Sequence, residues 1–473
     1  MKLVKQGVLY ASLMILFGGL IFLMLRSGPE IFGGPSISSP PKIPTGSGGF
    51  SHFFRFNISE SLPRLLLQIV IIIASTRLLG SVFKKIKQPV VMGEIIAGIV
   101  LGPSLLGWLF PAGFQFIFPA ESLRTLGFLS QIGLILFMFI VGMELDTRLL
   151  RKQAFEAVII SHASILIPFF LGICLSYYLY GIEIGPPGHL HSGLQTPGSF
   201  ISFALFMGIA MSITAFPVLA RIIRDRHLTD TPLGILAIGC AASDDVTAWC
   251  ILAILIAWIR SGSGSEAMAM IGAVIVYVFI MLVPVRMILK KIQTLYGRGK
   301  IGYNGWLAVI FTLLLLSAWC TEVIGIHALF GAFLAGIVIP KDEDAQKKII
   351  HRIGDLTMVM LLPLFFVYSG LRTQVGLLNS AVLWGSFGLI LLCAVTGKFA
   401  GSALVAKLLG QSWKNSLSIG ALMNTRGLME LIVLNIGYDM GILSAEFFSM
   451  MVLMALFTTL MTSPLLNWIG KEH

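Results

Sequence analysis

Long apolar segments recur from one end of the sequence to the other, and they constrain the fold more than any other feature. A helix needs about 20 apolar residues to cross the hydrocarbon core of a bilayer. Fourteen segments have this character: 7–25, 62–82, 90–108, 126–143, 155–180, 199–221, 232–259, 267–289, 303–320, 323–340, 352–372, 381–408, 415–437 and 445–468. Only helices and closed barrels satisfy every backbone hydrogen bond in lipid, and these segments are too long for barrel strands. We therefore predict an all-α polytopic membrane protein with about 14 transmembrane helices.

The composition argues against several other classes of protein. Of the 473 residues, 56% are hydrophobic and only 12% are charged, about half the charged fraction of a soluble domain. A soluble multidomain enzyme and a disordered scaffold are therefore excluded. The five cysteines all lie in apolar segments, without a CxxC motif or metal-ligand spacing. We interpret them as small packing residues and expect no disulfide framework.

The formal net charge of +11 is compatible with a nucleic-acid partner, with anionic lipid or with membrane topology alone. The positions of Lys and Arg favour topology, because 23 of the 33 lie in one alternating set of loops and seven in the other set. Cytoplasmic loops carry the excess of Lys and Arg in membrane proteins. We therefore predict a multi-pass membrane protein with both termini cytoplasmic. Its expected partner is membrane lipid and not nucleic acid.

The apolar segments fall into two halves. We predict an extra N-terminal membrane helix at 1–26, an external linker rich in Pro, Gly and Ser at 27–61, a first repeat at 62–259, a linker helix at 260–302, a second repeat at 303–468 and a cytoplasmic tail at 469–473. Each repeat contains six segments, and the single segment between them inverts the second half relative to the first. The first segment is either a retained anchor or a signal peptide, and its long apolar core without a clear cleavage site favours the anchor.

Five charged residues lie near the middle of apolar segments: Asp244, Asp245, Lys398, Arg426 and Glu430. Each one costs about 2.5–3.5 kcal/mol at that depth on insertion scales, so these side chains must pair with one another or line a wet cavity. One interpretation is an ion pathway. The other is a buried ion-pair network that only holds helices together, which applies with more force to Arg426 and Glu430 than to the aspartates.

The aspartate pair has the chemistry of an exchange site. Adjacent residues on a helix point about 100° apart, so one carboxylate can meet a lysine while the other faces a cavity. Carboxylate oxygens, with a hydroxyl from Ser243, can hold either a monovalent cation or protons. Lys398 lies between Gly397 and Gly401, which permit close helix approach and bring its ammonium within reach of a carboxylate.

Two segments carry helix-breaking residues near their centres. Pro217 follows the hydroxyls of Ser212 and Thr214 and removes a backbone hydrogen bond from a helix. Asn424 and Gly427 bracket a similar sequence in the second half. Opposed broken helices at the midplane are typical of transporters with inverted repeats, whereas a simple kink is the alternative for Pro217.

Several motifs occur in a fixed order along the chain. They are QPVVMGE at 88–94, GMELD at 142–146, TAFPVLAR at 214–221, SDD at 243–245, HALFGAFLAG at 327–336, and Arg426-Gly427 with Glu430. Over roughly residues 62–468 the chain resembles the monovalent cation/proton antiporter superfamily. The branch that it resembles includes bacterial sodium/proton antiporters and the membrane domain of Kef-type antiporters without their regulatory domain.

This resemblance implies a 13-helix antiporter core with two inverted six-helix repeats, crossed broken helices and elevator-like alternating access, usually in a homodimer. It also implies roles for individual residues. Asp245 is expected to be the cation and proton ligand, beside Asp244 as the partner of Lys398. Thr214 is expected to lie in the unwound segment beside this site.

The function predicted from these observations is secondary active exchange of a monovalent cation, Na⁺ or Li⁺, for protons, with a role in pH homeostasis. No enzyme activity is expected, and no cofactor beyond the transported ions. Kef-type potassium systems carry a nucleotide-binding domain that this sequence does not contain, which favours sodium and leaves a K⁺/H⁺ antiporter as the alternative. Arg426 and Glu430 are expected to stabilise the second crossed helix, and Glu94, Glu144 and Asp146 to have structural or gating roles.

Three other classes agree less well with the sequence. An intramembrane aspartyl protease needs a second aspartate in a GxGD setting, whereas Tyr438-Asp439 resembles only half of such a site. A channel usually uses a filter or rings of charge from symmetric subunits. A solute/sodium symporter does not account for a lysine paired with Asp244.

Overall fold

The computed structural model describes residues 61–144, 154–184, 200–229, 231–260, 264–340 and 343–470. All regular structure in these ranges is helical. The helices are α1 (Ser61–Lys85), α2 (Val90–Leu101), α3 (Leu106–Leu109), α4 (Pro111–Ile117), α5 (Ala120–Glu144), α6 (Ala154–Ile184), α7 (Phe200–Ser212), α8 (Phe216–Asp225), α9 (Pro232–Arg260), α10 (Gly264–Ile280), α11 (Arg286–Gly297), α12 (Tyr303–Ile324), α13 (Ala328–Val338), α14 (Glu343–Leu356), α15 (Leu362–Arg372), α16 (Ala381–Val395), α17 (Gly401–Leu408), α18 (Trp413–Met423), α19 (Leu428–Asp439) and α20 (Ala445–Gly470). The predictions for the helix at 1–26, the linker at 27–60, Asp146 and the tail after residue 470 lie outside the described residues.

The helices agree in position with the predicted apolar segments. Among the described residues, eleven helical stretches are long and apolar enough to cross a membrane, and the bent pair of α18 and α19 makes twelve. The segment predicted at 323–340 is shorter than expected, because α13 has only 11 residues and is too short to cross alone. Left-handed backbone angles at Gly325 (φ 98°) and His327 (φ 84°) separate it from α12. The multi-pass, all-helical fold is confirmed, and the exact number of crossings stays a prediction.

The helices pack into two groups. The frame bundle consists of α1, α2, α5, α12, α13 and α15, and the site bundle consists of α6 to α9 and α16 to α20. The groups meet where α15 contacts α19. Large apolar side chains such as Leu78 on α1 and Phe279 on α10 remain exposed on the outside, as expected of a surface that faces lipid.

Glycines let two helices of the frame bundle approach closely. In lipid, helix association depends on van der Waals contact, so small residues are favoured where backbones meet. Gly98 on α2 packs against α15: a Cβ added at Gly98 would lie 2.8 Å from the Cα of Val367 and 2.9 Å from the Cα of Gly370. The two backbones therefore leave no room for a methyl group.

We expect Gly98→Ala to destabilise the protein by about 1–3 kcal/mol, the usual cost of overpacking a tight contact. The measurement is the midpoint of thermal unfolding in detergent. Gly388→Ala on α16 is the matched control, since a Cβ at Gly388 lies more than 4 Å from the described residues of the other helices and alanine favours helix formation. An equal loss of stability in both variants would contradict close packing of α2 on α15.

Candidate functional site

Two interrupted helices meet inside the site bundle. α7 ends at Ser212 and α8 begins at Phe216, while α18 ends at Met423 and α19 begins at Leu428. The unwound segments contact each other, because the backbone N–H of Ala215 donates to the Thr425 carbonyl over 3.0 Å. Four helix ends thus converge on one buried region, where free N–H and C=O groups are available to polar side chains or ions.

Local sequence explains the first interruption. Pro217 is the second residue of α8, a position where a helix needs no amide hydrogen. It therefore starts a new helix instead of kinking a continuous one. Thr214 lies in the unwound segment and is fully buried.

Arg426 stabilises both interruptions from the second unwound segment. Its guanidinium donates to the carbonyls of Ala210 (2.8 Å) and Met211 (2.6 Å) at the end of α7, and to Glu430 Oε2 (2.7 Å). The Thr459 hydroxyl bonds the backbone N–H and C=O of Arg426, each over 2.8 Å. A positive charge at a helix C-terminus satisfies carbonyls that the helix leaves free. Arg426 and Glu430 are both completely buried, and the bonds of Arg426 join the end of α7 to the second unwound segment.

A second buried ion pair lies beside the breaks. Lys398 Nζ is 2.9 Å from Asp244 Oδ2, 2.5 Å from Thr214 Oγ1 and 3.0 Å from Ser164 Oγ. An ammonium has three hydrogens, and each of them has an acceptor here. Asp244 also accepts from Ser161 over 3.0 Å and lies 2.5 Å from the Thr214 hydroxyl. Both charged groups are therefore fully bonded, as buried charges must be.

The chain around Lys398 brings its ammonium to this position. A π turn at Thr396–Ala400 separates α16 from α17 and contains Lys398. Gly397 packs against α6, because a Cβ there would lie 2.9 Å from the Cα of Pro168. Close approach of these helices places Lys398 within hydrogen-bonding distance of Ser164 on α6.

Asp245 differs sharply from its neighbour Asp244. It is only 1% exposed, and among the described residues neither of its carboxylate oxygens has a hydrogen-bond partner, although the backbone amide of Phe216 lies close to it at the start of α8. A void of about 10 Å³ adjoins the carboxylate. Its other lining residues are all apolar: Ile213, Ala248, Trp249, Leu252, Met429 and Val433. A buried carboxylate in such surroundings is costly unless it binds a proton or a cation.

A larger cavity of about 590 Å³ lies between the two bundles. Its walls carry Glu144 from α5 of the frame bundle and Arg221 and Arg224 from α8 of the site bundle. It extends inward to Phe216 and Leu428, the first residues of α8 and α19. Phe216 thus lines this cavity and also lies close to Asp245, whereas Asp245 itself lines the separate 10 Å³ void.

The structure brings most of the predicted site residues together. Asp244, Asp245, Thr214 and Lys398 form one cluster. Asn424 lies at the second break and is fully buried, and no described residue forms a hydrogen bond with its side-chain amide. The hydroxyls that reach Asp244 belong to Thr214 and Ser161, whereas Ser243 is half-buried on the same helix.

Ser161 and Ser164 were not predicted from the sequence. They are three residues apart on an apolar helix and therefore share one face. Both are fully buried and bond the charged pair of Asp244 and Lys398. Two hydroxyls at this spacing in a membrane-spanning helix are the signal by which they could have been found.

Comparisons with known proteins agree with this architecture. Residues 70–469 match the family described as sodium/hydrogen exchanger, transmembrane. Over 409 residues the chain is 44% identical to the Na⁺/H⁺ antiporter NhaS4 of Synechocystis, an alignment that covers 86% of this chain and 97% of that protein. It is 32% identical over 428 residues to K⁺/H⁺ antiporter 1 of Saccharomyces cerevisiae, covering 89% of this chain but only 48%, about half, of the yeast protein.

A solved structure shows the same fold. The sodium proton antiporter MjNhaP1 from Methanocaldococcus jannaschii superposes with a TM-score of 0.61 at 16% sequence identity, over 87% of this chain and 97% of that one. The predicted superfamily, the all-helical antiporter fold and the expectation of a transporter instead of an enzyme are confirmed. The chain belongs to the transmembrane sodium/hydrogen exchanger family and is a multi-pass membrane protein of the monovalent cation/proton antiporter superfamily.

Proposed function

We propose that this chain exchanges Na⁺ for protons by alternating access, with Asp245 as the group that binds either ion. The observation that carries the proposal is the contrast between the two aspartates. Asp244 is bonded to Lys398, Thr214 and Ser161, whereas the carboxylate of Asp245 has no hydrogen-bond partner in the part of the chain that the structure describes. Only Asp245 is therefore available to a transported ion.

The exclusion of one ion by the other follows from electrostatics. A proton and a monovalent cation each neutralise one carboxylate, and in a site of low dielectric a second positive charge is repelled strongly. The Lys398 ammonium adds a fixed positive charge on the Asp244 side. A cation arriving at Asp245 must therefore displace the proton held there, which couples the two fluxes.

Oxygen ligands beyond Asp245 are expected from the helix breaks. A hard cation binds carboxylate, carbonyl and hydroxyl oxygens, and the unwound segments supply backbone carbonyls near the aspartates. The Met423 carbonyl lies 3.1 Å from Thr214 Oγ1, beside the Asp244 carboxylate. Ser243 remains a candidate for a further hydroxyl ligand.

The cavity supports an inward-facing conformation. Arg221 and Arg224 in its wall lie near the end of α8, on the side of the protein that is rich in Lys and Arg, which we propose to be cytoplasmic in a bacterial inner membrane. Protons and cations then reach Asp245 from the cytoplasm past Phe216. Access from the other side requires the site bundle to move relative to the frame bundle, as in an elevator.

Sodium is the cation that we favour. NhaS4, whose name describes a Na⁺/H⁺ antiporter, aligns over nearly its full length, whereas the yeast K⁺/H⁺ antiporter aligns over half of its length at lower identity. Exchange of K⁺ is therefore the second candidate.

We also propose a homodimer, in which exposed apolar faces such as that of α10, with Ile275 and Phe279, supply contact surface.

The decisive experiment uses proteoliposomes with a pH-sensitive dye inside and an imposed pH gradient. We expect Na⁺, and Li⁺ to a lesser degree, to dissipate the gradient, with little response to K⁺ or Rb⁺. Clamping the voltage at several values then shows whether exchange moves net charge. Cation uptake without opposing proton flux, or no flux of either ion, would overturn the proposal, and a response to K⁺ alone would select the second candidate.

A further inference from the structure

Helices α15 and α19 line the cavity at one end and are bonded to each other at the opposite end. Leu362 begins α15, Leu428 begins α19, and both line the cavity. Arg372 ends α15 and Asp439 ends α19, roughly 15 Å further along each helix at 1.5 Å per residue. The two helices belong to different bundles, so their far ends mark a closed face opposite the open one.

The closed face is held by an ion pair between the bundles. Arg372 Nη1 lies 2.7 Å from Asp439 Oδ1 and 3.0 Å from Asn435 Oδ1, one turn earlier on α19. The guanidinium also stacks over the rings of Tyr368 (4.4 Å) and Tyr438 (5.3 Å). The side chain of Arg372 is 20% exposed and that of Asp439 is 47% exposed. Because water can solvate both groups, the free-energy cost of breaking the ion pair is moderate.

A second layer of hydrogen bonds lies beneath this pair. Asn435 Nδ2 donates to Ser369 Oγ on α15 over 2.8 Å. Just after α15, the Gln374 N–H donates to Ser449 Oγ on α20 over 2.9 Å. Every one of these bonds joins the frame bundle to the site bundle, and each must break if the bundles separate at this face.

We propose that Arg372 and Asp439 are positioning residues that form a latch, which holds the face opposite the cavity closed and sets how often the ion site opens to that face. The inference rests on the proposed function, because alternating access requires each face to open in turn. Neither residue contacts the transported ions. They act on the ratio of the two conformations, and a change in that ratio appears in the affinity measured from each side.

The test measures opening at the latch face directly. A Val433→Cys probe, placed on α19 beside Asp245 in a chain whose five native cysteines are replaced, is labelled with a membrane-impermeant maleimide applied from the latch face. We expect Arg372→Gln and Asp439→Asn to raise the labelling rate by about 3- to 10-fold, in line with the strength of partly exposed ion pairs. The charge-exchanged double variant Arg372→Asp with Asp439→Arg should return the rate towards that of the parent.

Arg124→Gln is the matched control, since Arg124 is exposed and lies over Phe128 of its own helix. It should leave labelling unchanged. Transport provides a second measurement. In the two latch variants we expect the KM for Na⁺ applied from the latch face to fall, relative to the KM for Na⁺ applied from the cavity face. The ratio of the two KM values should change by the same factor as the labelling rate. A merely structural role would change thermal stability without moving this ratio.

Two outcomes would overturn the latch. One is parent-like labelling and an unchanged KM ratio in both single variants, and the other is equal acceleration in Arg124→Gln. If one single variant does not fold, the other and the double variant still decide. The labelling test needs no exchange activity, so faster labelling in a chain that does not exchange ions would refute the proposed function and leave the latch standing.

Discussion

Replacing Asp245 with Asn is expected to abolish cation/proton exchange and leave the protein folded. Asn has nearly the shape of Asp but carries no charge and binds no proton, so the site can neither hold a cation nor release a proton. Stability should fall by no more than about 1 kcal/mol, because the described residues make no hydrogen bond to the Asp245 carboxylate and the substitution removes a buried carboxylate that is costly to keep charged. Flux in proteoliposomes should equal that of empty liposomes, with a parent-like thermal unfolding midpoint.

Two other aspartates provide the controls for this prediction. Asp355→Asn removes an acid that is 74% exposed and paired with His351, and it should exchange ions like the parent. Asp244→Asn should lower stability, because it leaves the Lys398 ammonium buried without its carboxylate. Exchange that persists in Asp245→Asn would remove Asp245 from the ion-binding role.

The charged members of the site are visible in the sequence because charge is rare and expensive inside apolar segments. Asp244, Asp245 and Lys398 could therefore be identified from their positions along the chain. Their pairing could not be derived from composition or spacing, and it followed from the resemblance to a family. Ser161 and Ser164 were missed because hydroxyls are common in membrane helices, where they can bond to the helix's own carbonyls at little cost.

Helix interruptions were predictable only where a residue enforces them. Pro217 marks the first break, and Asn424 with Gly427 marks the second. The break before α13 depends on His327 at φ 84°, a conformation that is uncommon for any residue other than glycine and that the sequence does not predict. The π turn around Lys398 likewise depends on contact between α16 and α6, which no local sequence pattern describes.

The latch residues illustrate the same limit. Arg372 and Asp439 lie at the ends of apolar segments, where charged residues are ordinary and indicate only a boundary. Their significance comes from the packing of α15 against α19, two helices of different bundles. The bonded residues, Arg372 and Asp439, are 67 positions apart in the sequence. A one-dimensional pattern contains no information about such a contact.

Replacing Lys398 with Met is expected to destabilise the protein by about 3–5 kcal/mol, the usual cost of removing one partner from a buried ion pair. Methionine fills a similar volume but donates no hydrogen bond. Asp244 would keep the hydroxyls of Thr214 and Ser161 but lose the charge that balances it. The shift should appear in the thermal unfolding midpoint of the detergent-purified protein.

The double variant Lys398→Met with Asp244→Asn separates the pair from its surroundings. Since both charges are gone, neither remains buried and unpaired, and we expect stability to recover to within about 2 kcal/mol of the parent. Asp245 is still present in this variant, so any remaining Na⁺/H⁺ exchange measures how far the site works without the fixed charge of Lys398. If the double variant instead loses as much stability as the two single variants together, the 2.9 Å contact between Lys398 and Asp244 does not couple the two residues energetically. The assignment of Lys398 as the ion-pair partner of Asp244 would then fail.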